Sequence, residues 1–257
     1  MSASVTCVVD TGVATITLDR PDAKNRLDAE SMALLLEHLR ATAEDPEVRV
    51  VVLTGTGTTF CSGADLAGAV AAKSGGFAAG GTTGLVDVLV AMLDHPKPII
   101  GRVQGHVAGG GNGLVAACDV AIASADARFA FSEVRLGVAP AIISVVCLQV
   151  MHRRDAQELL LTGERVSAER AHAAGLVTRV VEAEGLDGAV ATYIDQLRLG
   201  GPEAVAHTKG LLRRVPAMDR DDAFAWTSDL SASLFTSAEA RDGMTAFLEK
   251  RKPEWAP

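Results

Sequence analysis

The chain has 257 residues, of which 48% are hydrophobic and 22% charged, and this composition excludes a mostly disordered protein. Its 32 acidic and 24 basic residues give a net charge of −8, which argues against a general nucleic-acid-binding protein. The length predicts one large domain, or one domain with a small appendage, whose hydrophobic core needs no disulfide or metal.

The spacing of cysteines and histidines predicts neither disulfides nor a metal site. The histidines form no HExxH or comparable ligand spacing, and no two cysteines form a CxxC pair. No signal peptide and no apolar run of about 18 residues is found, so we expect no membrane insertion. These features favour a cytoplasmic protein with reduced, buried thiols at Cys7, Cys61, Cys118 and Cys147.

The N-terminal half alternates predicted strands and helices. The apolar run at 48–54 is almost uninterrupted, which is typical of a strand buried on both faces. The Ala-, Gly-, Ser- and Thr-rich segment 67–84 is a candidate mobile lid. The predicted elements are a hairpin over 4–9 and 13–19, a helix from Asp28 to about 45, a strand over 48–54, a loop over 55–63, a helix over 85–94, a strand over 98–103, a helix from the glycine triplet to Cys118 and a strand over 120–124.

The C-terminal half is predicted to be mainly helical. Helices are expected over 140–151, 154–162, 167–174, 185–199, 202–214 and 218–250. The alternation before them predicts an α/β fold with parallel strand pairing. We therefore divide the chain into an α/β core over 1–200 and a helical segment over 201–257.

Two glycine-bearing turns, each after a predicted buried strand, are the strongest chemical feature. One contains Gly63 and Ala64, and the other is the triplet Gly109–Gly111 before a helix. Glycine lets the backbone approach a ligand, and the helix N-terminus favours an anion. Two backbone N–H groups could therefore hold an oxyanion, either an enolate or a tetrahedral intermediate. Close packing of a helix on a sheet is the alternative explanation.

Other catalytic patterns have less support. Gly55-Thr56-Gly57 follows a strand but lacks the third glycine, the helix and the acidic residue of a dinucleotide-binding turn. The sequence has no P-loop and no GxSxG motif. Cys61 or Ser62 with His106 could be imagined as a nucleophile pair, but no spacing supports it.

A set of short motifs spread along nearly the whole chain resembles the enoyl-CoA hydratase/isomerase (crotonase) superfamily. None is specific alone, but their combination and order are. They are Arg20-Pro21 with Asn25, VVLTG at 51–55, FCSGADL at 60–66, Lys97-Pro98, Gly105, the triplet 109–111, Cys118-Asp119, FSEVRLG at 131–137, LTG at 161–163, GLV at 175–177 and AFLEKRKP at 246–253. The resemblance implies a crotonase (ClpP-like) spiral of ββα units with a helical C-terminal trimerisation segment.

The resemblance also implies an acyl-CoA thioester substrate whose enolate is held by the backbone N–H groups of Ala64 and Gly110. Many hydratases of the family use two glutamates. One corresponds to Glu133, which would be the general acid/base in an apolar pocket that raises its pKa. The other position is Gly113, which has no side chain. The chain therefore departs from the two-carboxylate pattern.

A single carboxylate leaves three functions open. We expect an enoyl-CoA hydratase, in which Glu133 acts alone or Asn112 helps to place the water; Asn112 could equally be a helix cap. The first alternative is a Δ3,Δ2-enoyl-CoA isomerase, in which one glutamate moves the proton. The second is an acyl-CoA-binding protein with weak catalysis.

The sequence around Glu133 resembles hydratases of glutaconyl-type CoA esters, such as 3-methylglutaconyl-CoA. Such substrates would need a cationic partner, for which Arg135 and Arg154 are candidates. For the CoA moiety, the resemblance implies the Ser62 backbone at the adenine, Lys24 at the phosphates, and Phe247 and Lys250 from a neighbouring subunit. It also places Asp65 and Gly113 in the substrate site. We expect no cofactor beyond the substrate's CoA, and a homotrimer or a hexamer built from two trimers.

Overall fold

The computed structural model of the chain describes residues 3–65 and 82–257, and these form two sheets surrounded by helices. The strands are β1 (Val5–Asp10), β2 (Val13–Leu18), β3 (Val50–Gly55), β4 (Thr59–Cys61), β5 (Ile99–Val103), β6 (His106–Ala108), β7 (Val120–Ser124), β8 (Arg128–Ala130), β9 (Arg165–Ser167) and β10 (Arg179–Val181). The helices are α1 (Ala29–Glu44), α2 (Thr82–Asp94), α3 (Gly110–Ala117), α4 (Ala141–Val150), α5 (Arg153–Thr162), α6 (Ala168–Ala173), α7 (Leu186–Arg198), α8 (Pro202–Arg214), α9 (Arg220–Phe235) and α10 (Ala238–Glu249).

From β3 to β8, each successive pair of strands contributes one strand to each sheet, which gives the spiral of ββα units. The larger sheet has the order β1-β2-β3-β5-β7-β10, and the smaller one β4-β6-β8-β9. The strands β3, β5 and β7 belong to the larger sheet, and each is followed by a short strand of the smaller one. In the smaller sheet, β4, β6 and β8 pair in parallel, so their carboxyl ends lie at the same edge.

The central strands β3 and β5 of the larger sheet are buried on both faces. Val51, Leu53 and Ile99 belong to the main core cluster, and the alternating residues Val52 and Ile100 pack on the other face. Helix α7 covers that second face with Leu186, Ala189 and Val190. The prediction of a strand buried on both faces at 48–54 is therefore confirmed.

The structure corrects the predicted elements in two places. The single helix predicted over 218–250 is two helices, because Ser237 accepts a hydrogen bond from the Ala240 backbone and starts α10. The three-residue strands β4, β6, β8, β9 and β10 were not predicted, since three residues are too few for a recognisable period.

The end of the chain is held to the core by backbone carbonyls. The Arg49 guanidinium donates to the Gly200 carbonyl at 2.7 Å and to the Trp255 carbonyl at 3.1 Å. The Trp255 indole N–H donates to the Leu199 carbonyl at 3.1 Å. A Cβ on Gly243 would lie 2.8 Å from the Trp255 ring, so glycine makes room for that ring on α10.

Some predictions concern features outside this description. Of the candidate lid 67–84, residues 67–81 lie outside the described residues. The division at residue 200 stays a prediction, although the chain from Pro202 onward is helical as expected. No helix within the described ranges is long and apolar enough to cross a membrane.

Candidate active site

The two glycine-bearing turns predicted from the sequence meet in the structure. One follows β4 and the other follows β6, and these strands are neighbours in the smaller sheet. A Cβ on Gly63 would lie 2.8 Å from the Ala108 carbonyl and 3.0 Å from the Gly110 nitrogen, so only glycine lets the two turns come together here. Gly63 has φ +82° and Gly109 has φ +50°, and a side chain at either position would be strained.

Each turn presents one backbone N–H with no acceptor in the described chain. Ala64 forms a parallel bridge with Leu27, but the bonds of that bridge run from Leu27 N to Gly63 O and from Asp65 N to Leu27 O. The N–H of Ala64 itself is therefore left free. Gly110 is the first residue of α3, where an N–H has no partner within the helix. Among the described residues neither N–H has an acceptor, and that of Gly110 lies at a helix N-terminus with its partial positive charge.

Glu133 lies beside these turns in a short 3-10 helix, Ser132–Leu136. Its Oε1 is 3.7 Å from the position that a Cβ on Gly109 would take. Burial raises the pKa of the Glu133 carboxyl above its ordinary value, and the backbone N–H of the same residue opposes this only in part. The carboxyl therefore holds a proton more readily than an exposed glutamate does, which suits an acid/base close to neutral pH.

The position of the missing second glutamate is filled by a neighbouring helix. Gly113 is buried in α3, and a Cβ there would lie 2.6 Å from Cγ2 and 3.2 Å from Cβ of Ile143 on α4. Leu89 Cδ2 would be 3.7 Å away. Gly113 is therefore not an empty carboxylate site, because Ile143 occupies the space into which a side chain would extend.

Two of the residues predicted to bind CoA, Ser62 and Lys24, lie next to the Gly63–Ala64 turn. The Ser62 N–H donates to the Lys24 carbonyl at 3.1 Å, and the Lys24 side chain is exposed. Lys24 itself has φ +54°, in a turn that is held by the buried Asn25 side chain. Asp65 forms an ion pair with Arg26, with 3.6 Å between Oδ1 and Nη1. This part of the predicted substrate-binding set is clustered.

The remaining predicted positions are not brought to the site within one chain. Phe247 is 83% exposed on α10, and Lys250 is exposed at the end of that helix. Arg135 donates from Nε to the Thr162 carbonyl at 3.0 Å, at the end of α5, and Arg154 is exposed on the same helix. Neither arginine contacts Glu133 within the part of the chain that the structure describes.

The structure argues against a Cys61 nucleophile and against a dinucleotide-binding turn. Burial raises the pKa of the Cys61 thiol to about 12, so it does not form a thiolate near neutral pH. After Gly55 and Gly57 the chain enters β4 instead of the helix that a dinucleotide turn needs. In the described ranges, no group of three or more His, Cys, Asp or Glu side chains could hold a metal ion.

Sequence reasoning missed the surroundings of the Glu133 carboxyl. Asn112 does not cap its helix; its Nδ2 donates to the Ala130 carbonyl at 2.8 Å and joins α3 to β8. Burial raises the pKa of the Cys147 thiol on α4 to about 12, and the nearby Glu133 charge adds to this effect. Ile143 and Cys147 are four residues apart, the spacing of one helix face, but nothing in the sequence says which helix that face meets.

Comparisons with known proteins agree with this geometry. The family model described as enoyl-CoA hydratase/isomerase matches residues 9–257. A carnitinyl-CoA dehydratase of Proteus mirabilis is 34% identical and covers 99% of each chain. A protein named putative enoyl-CoA hydratase, from Thermus thermophilus, is 33% identical over 95% of this chain and 97% of its own.

Solved structures agree as well. The crystal structure of an enoyl-CoA hydratase from Mycobacterium smegmatis superposes with a TM-score of 0.94 at 37% identity, and covers 99% of both chains. The resemblance inferred from the motifs is thus confirmed over nearly the full length, in sequence and in fold. The chain belongs to the enoyl-CoA hydratase/isomerase family and has the crotonase fold.

Proposed function

We propose that the protein is an enoyl-CoA hydratase that adds water to, or removes it from, an acyl-CoA thioester. The observation that carries the proposal is the arrangement of three groups at one edge of the smaller sheet. Two free backbone N–H groups, of Ala64 and Gly110, lie in adjoining turns, and the Glu133 carboxyl is beside them. The names of the hydratase and dehydratase relatives support the same reaction class.

The reaction balances with Glu133 as the only acid/base. The Glu133 carboxylate takes a proton from water while the water oxygen bonds to C3 of the enoyl thioester. The C2=C3 electron pair moves towards the thioester carbonyl and forms an enolate, whose oxygen accepts hydrogen bonds from the N–H groups of Ala64 and Gly110. Glu133 then gives the proton to C2. The scheme needs no oxidant or reductant, since no electrons are gained or lost overall.

The backbone donors supply most of the transition-state stabilisation in this scheme. One oxyanion donor contributes about 3–4 kcal/mol when it is already oriented towards the developing charge. Here both donors are fixed by strand pairing and by the start of a helix, so they need no reorganisation. The raised pKa of Glu133 makes its carboxylate a better proton acceptor from water than an ordinary glutamate.

A Δ3,Δ2-enoyl-CoA isomerase is the second candidate, and the packing of Ile143 favours it. Ile143 fills the space beside Gly113, so the described site has an apolar surface where the family's second glutamate would stand. Glu133 is then the one carboxylate left for acid/base chemistry in the proposed scheme. In this alternative, Glu133 removes a proton from C2 of a 3-enoyl ester and returns it to C4, while the electrons pass through the same enolate. Water is not consumed, so the product has the mass of the substrate.

The CoA end of the substrate is assigned to the cluster of Lys24 and Ser62. Because the Ser62 N–H is already used by Lys24, only its carbonyl is left to meet the adenine. Phe247 and Lys250 would act on the CoA of a neighbouring subunit in a homotrimer or a pair of trimers. In support, several large apolar side chains of the C-terminal helices are exposed, including Phe224, Phe235 and Leu248.

A glutaconyl-type substrate remains part of the proposal on the resemblance alone. Its second carboxylate would need a cation, and Arg135 is already bound to the end of α5. Among the described residues Arg154 is exposed and lies on that same helix. Testing 3-methylglutaconyl-CoA beside simple enoyl esters therefore decides this point directly.

The experiment is product mass from a mixture of 2-enoyl-CoA and 3-enoyl-CoA esters, with wild type beside Glu133→Gln. A product heavier by one water, lost in the variant, establishes the hydratase. A shifted double bond without a gain in mass establishes the isomerase. Retained binding of CoA esters without turnover of any of them refutes both reactions and leaves the third candidate, a binding protein.

A further inference from the structure

Two buried side-chain oxygen atoms, one of them in the Glu133 carboxyl, have no hydrogen-bond partner within the described chain. They are Oδ1 of Asn112 and Oε2 of Glu133. Asn112 is fully buried, and its amide orientation is fixed because Nδ2 donates to the Ala130 carbonyl. Both oxygens are acceptors, so neither can satisfy the other while Glu133 is ionised. Buried polar atoms in native proteins nearly always have a partner, often an ordered water.

The two residues share their neighbours. The Ala130 carbonyl accepts from Asn112 Nδ2 at 2.8 Å and from the Gly109 N–H at 3.2 Å, and Gly109 is also the residue beside Glu133 Oε1. On the opposite side, the Cys147 thiol is 3.8 Å from the Asn112 carbonyl and also senses the Glu133 charge. Gly109 and Cys147 therefore each lie close to both residues.

We propose that Asn112 is a positioning residue for Glu133, and that one buried water molecule donates one O–H group to Asn112 Oδ1 and the other to Glu133 Oε2. A water molecule has two donors, which matches the two unpartnered acceptors. The water would fix the buried oxygen of the carboxylate and so hold Oε1 towards the oxyanion turns. The catalytic consequence rests on the proposed function, since it assumes that Glu133 is the acid/base.

The role predicts a specific effect on the ionisation of Glu133. The water donates to the ionised carboxyl and stabilises it, which partly offsets the effect of burial. No charged side chain of the described residues is among the causes of the raised Glu133 pKa. The titratable groups on the elements around it are Cys147 on α4, Arg135 on its own turn, and Arg153, Arg154, Asp155 and Glu158 on α5. Of these, Asp155 and Glu158 are paired with Arg170.

The test is Asn112→Leu, which has nearly the same size and no acceptor. With the water lost, the pKa of Glu133 rises, and the acid limb of the kcat profile moves to higher pH by about one unit. The KM for the ester changes less than twofold, because the substrate contacts are retained. Asn112→Ser keeps an acceptor for water and restores at least half of the displacement.

A direct titration separates this proposal from the proposed function. Carbon-13 NMR of δ-labelled glutamate, with Glu133→Gln to assign the signal, measures the carboxyl pKa without any turnover. The control is Cys147→Ala, which disturbs the same packing but keeps both acceptors and leaves the Glu133 midpoint in place. An unmoved midpoint in Asn112→Leu overturns the proposal, as does a high-resolution crystal structure without a water between the two oxygens. If the midpoint moves and no ester is turned over, the water site stands and the proposed reaction fails.

Discussion

The contact between Gly113 and Ile143 predicts a measurable coupling between helices α3 and α4. In Gly113→Ala, the new methyl group would lie 2.6 Å from Ile143 Cγ2, which is far inside ordinary van der Waals contact. Ile143 is only 3% exposed, so it has little room to move. Overpacking of this kind costs about 1–3 kcal/mol, and alanine returns about 1 kcal/mol of helix propensity. We expect a net loss of about 1 kcal/mol, equivalent to a fall in Tm of about 2–4 °C at this chain length.

The same substitution should change sign when Ile143 is shortened. Ile143→Ala alone costs about 2–5 kcal/mol, but it removes Cγ2 and opens space beside Gly113. Adding Gly113→Ala in that background fills the space, so it should stabilise by about 1 kcal/mol and give an interaction of about 2 kcal/mol. Ile143→Val is the matched control, because valine keeps the offending methyl group. Thermal unfolding of these variants at one protein concentration measures the cycle, and additive effects would refute the steric reasoning.

Three further predictions concern the site and its support. Glu133→Gln should abolish turnover and keep ester binding. Because burial raises the folded-state pKa of the Glu133 carboxyl, the variant should also have a higher Tm than wild type at pH values above that pKa, and this advantage should disappear below the pKa of an unfolded glutamate. An equal Tm at all pH values would contradict the assigned burial. Ala64→Pro deletes one oxyanion N–H without breaking the Leu27 bridge, and kcat measured under saturating ester should fall by about 10²–10³-fold with the far-UV circular dichroism unchanged. Lys209→Met removes the ammonium that donates to the Asp119 carboxylate and to the carbonyls of Met92 and Lys97, and urea unfolding should show a loss of about 1–3 kcal/mol with no change in KM.

Local sequence patterns predicted the parts of the fold that depend on local physics. The apolar run at 48–54 identifies β3, and the paired glycine turns indicate where two backbone N–H groups could hold an oxyanion, although the choice of Ala64 and Gly110 comes from the resemblance. The role of Glu133 could not be reached that way, since a lone glutamate carries no signature. That role is a proposal drawn from the resemblance, and the burial of the carboxyl beside Gly109 supports it.

Tertiary contacts explain what the sequence could not predict. The glycine at 113 suggested an empty position, but its space belongs to Ile143, and this depends on how α3 and α4 cross. Asn112 resembled a helix cap, but it faces β8 because the chain places Ala130 there. Neither relation is encoded in the spacing of neighbouring residues.

The parallel pairing of β4, β6 and β8 makes enzymatic activity a sensitive reporter of folding. Each strand ends in one part of the site, namely the Ala64 turn, the Gly110 turn and Glu133. The β4–β6 pair contains an irregularity, in which Thr59 pairs with His106 and Cys61 with Val107. A slip of one residue at this step would move a donor by about 3.3 Å and reverse its side-chain face. During refolding, recovery of activity should therefore lag behind recovery of the helical signal, because helices form from local contacts and the site requires the register of three distant strands.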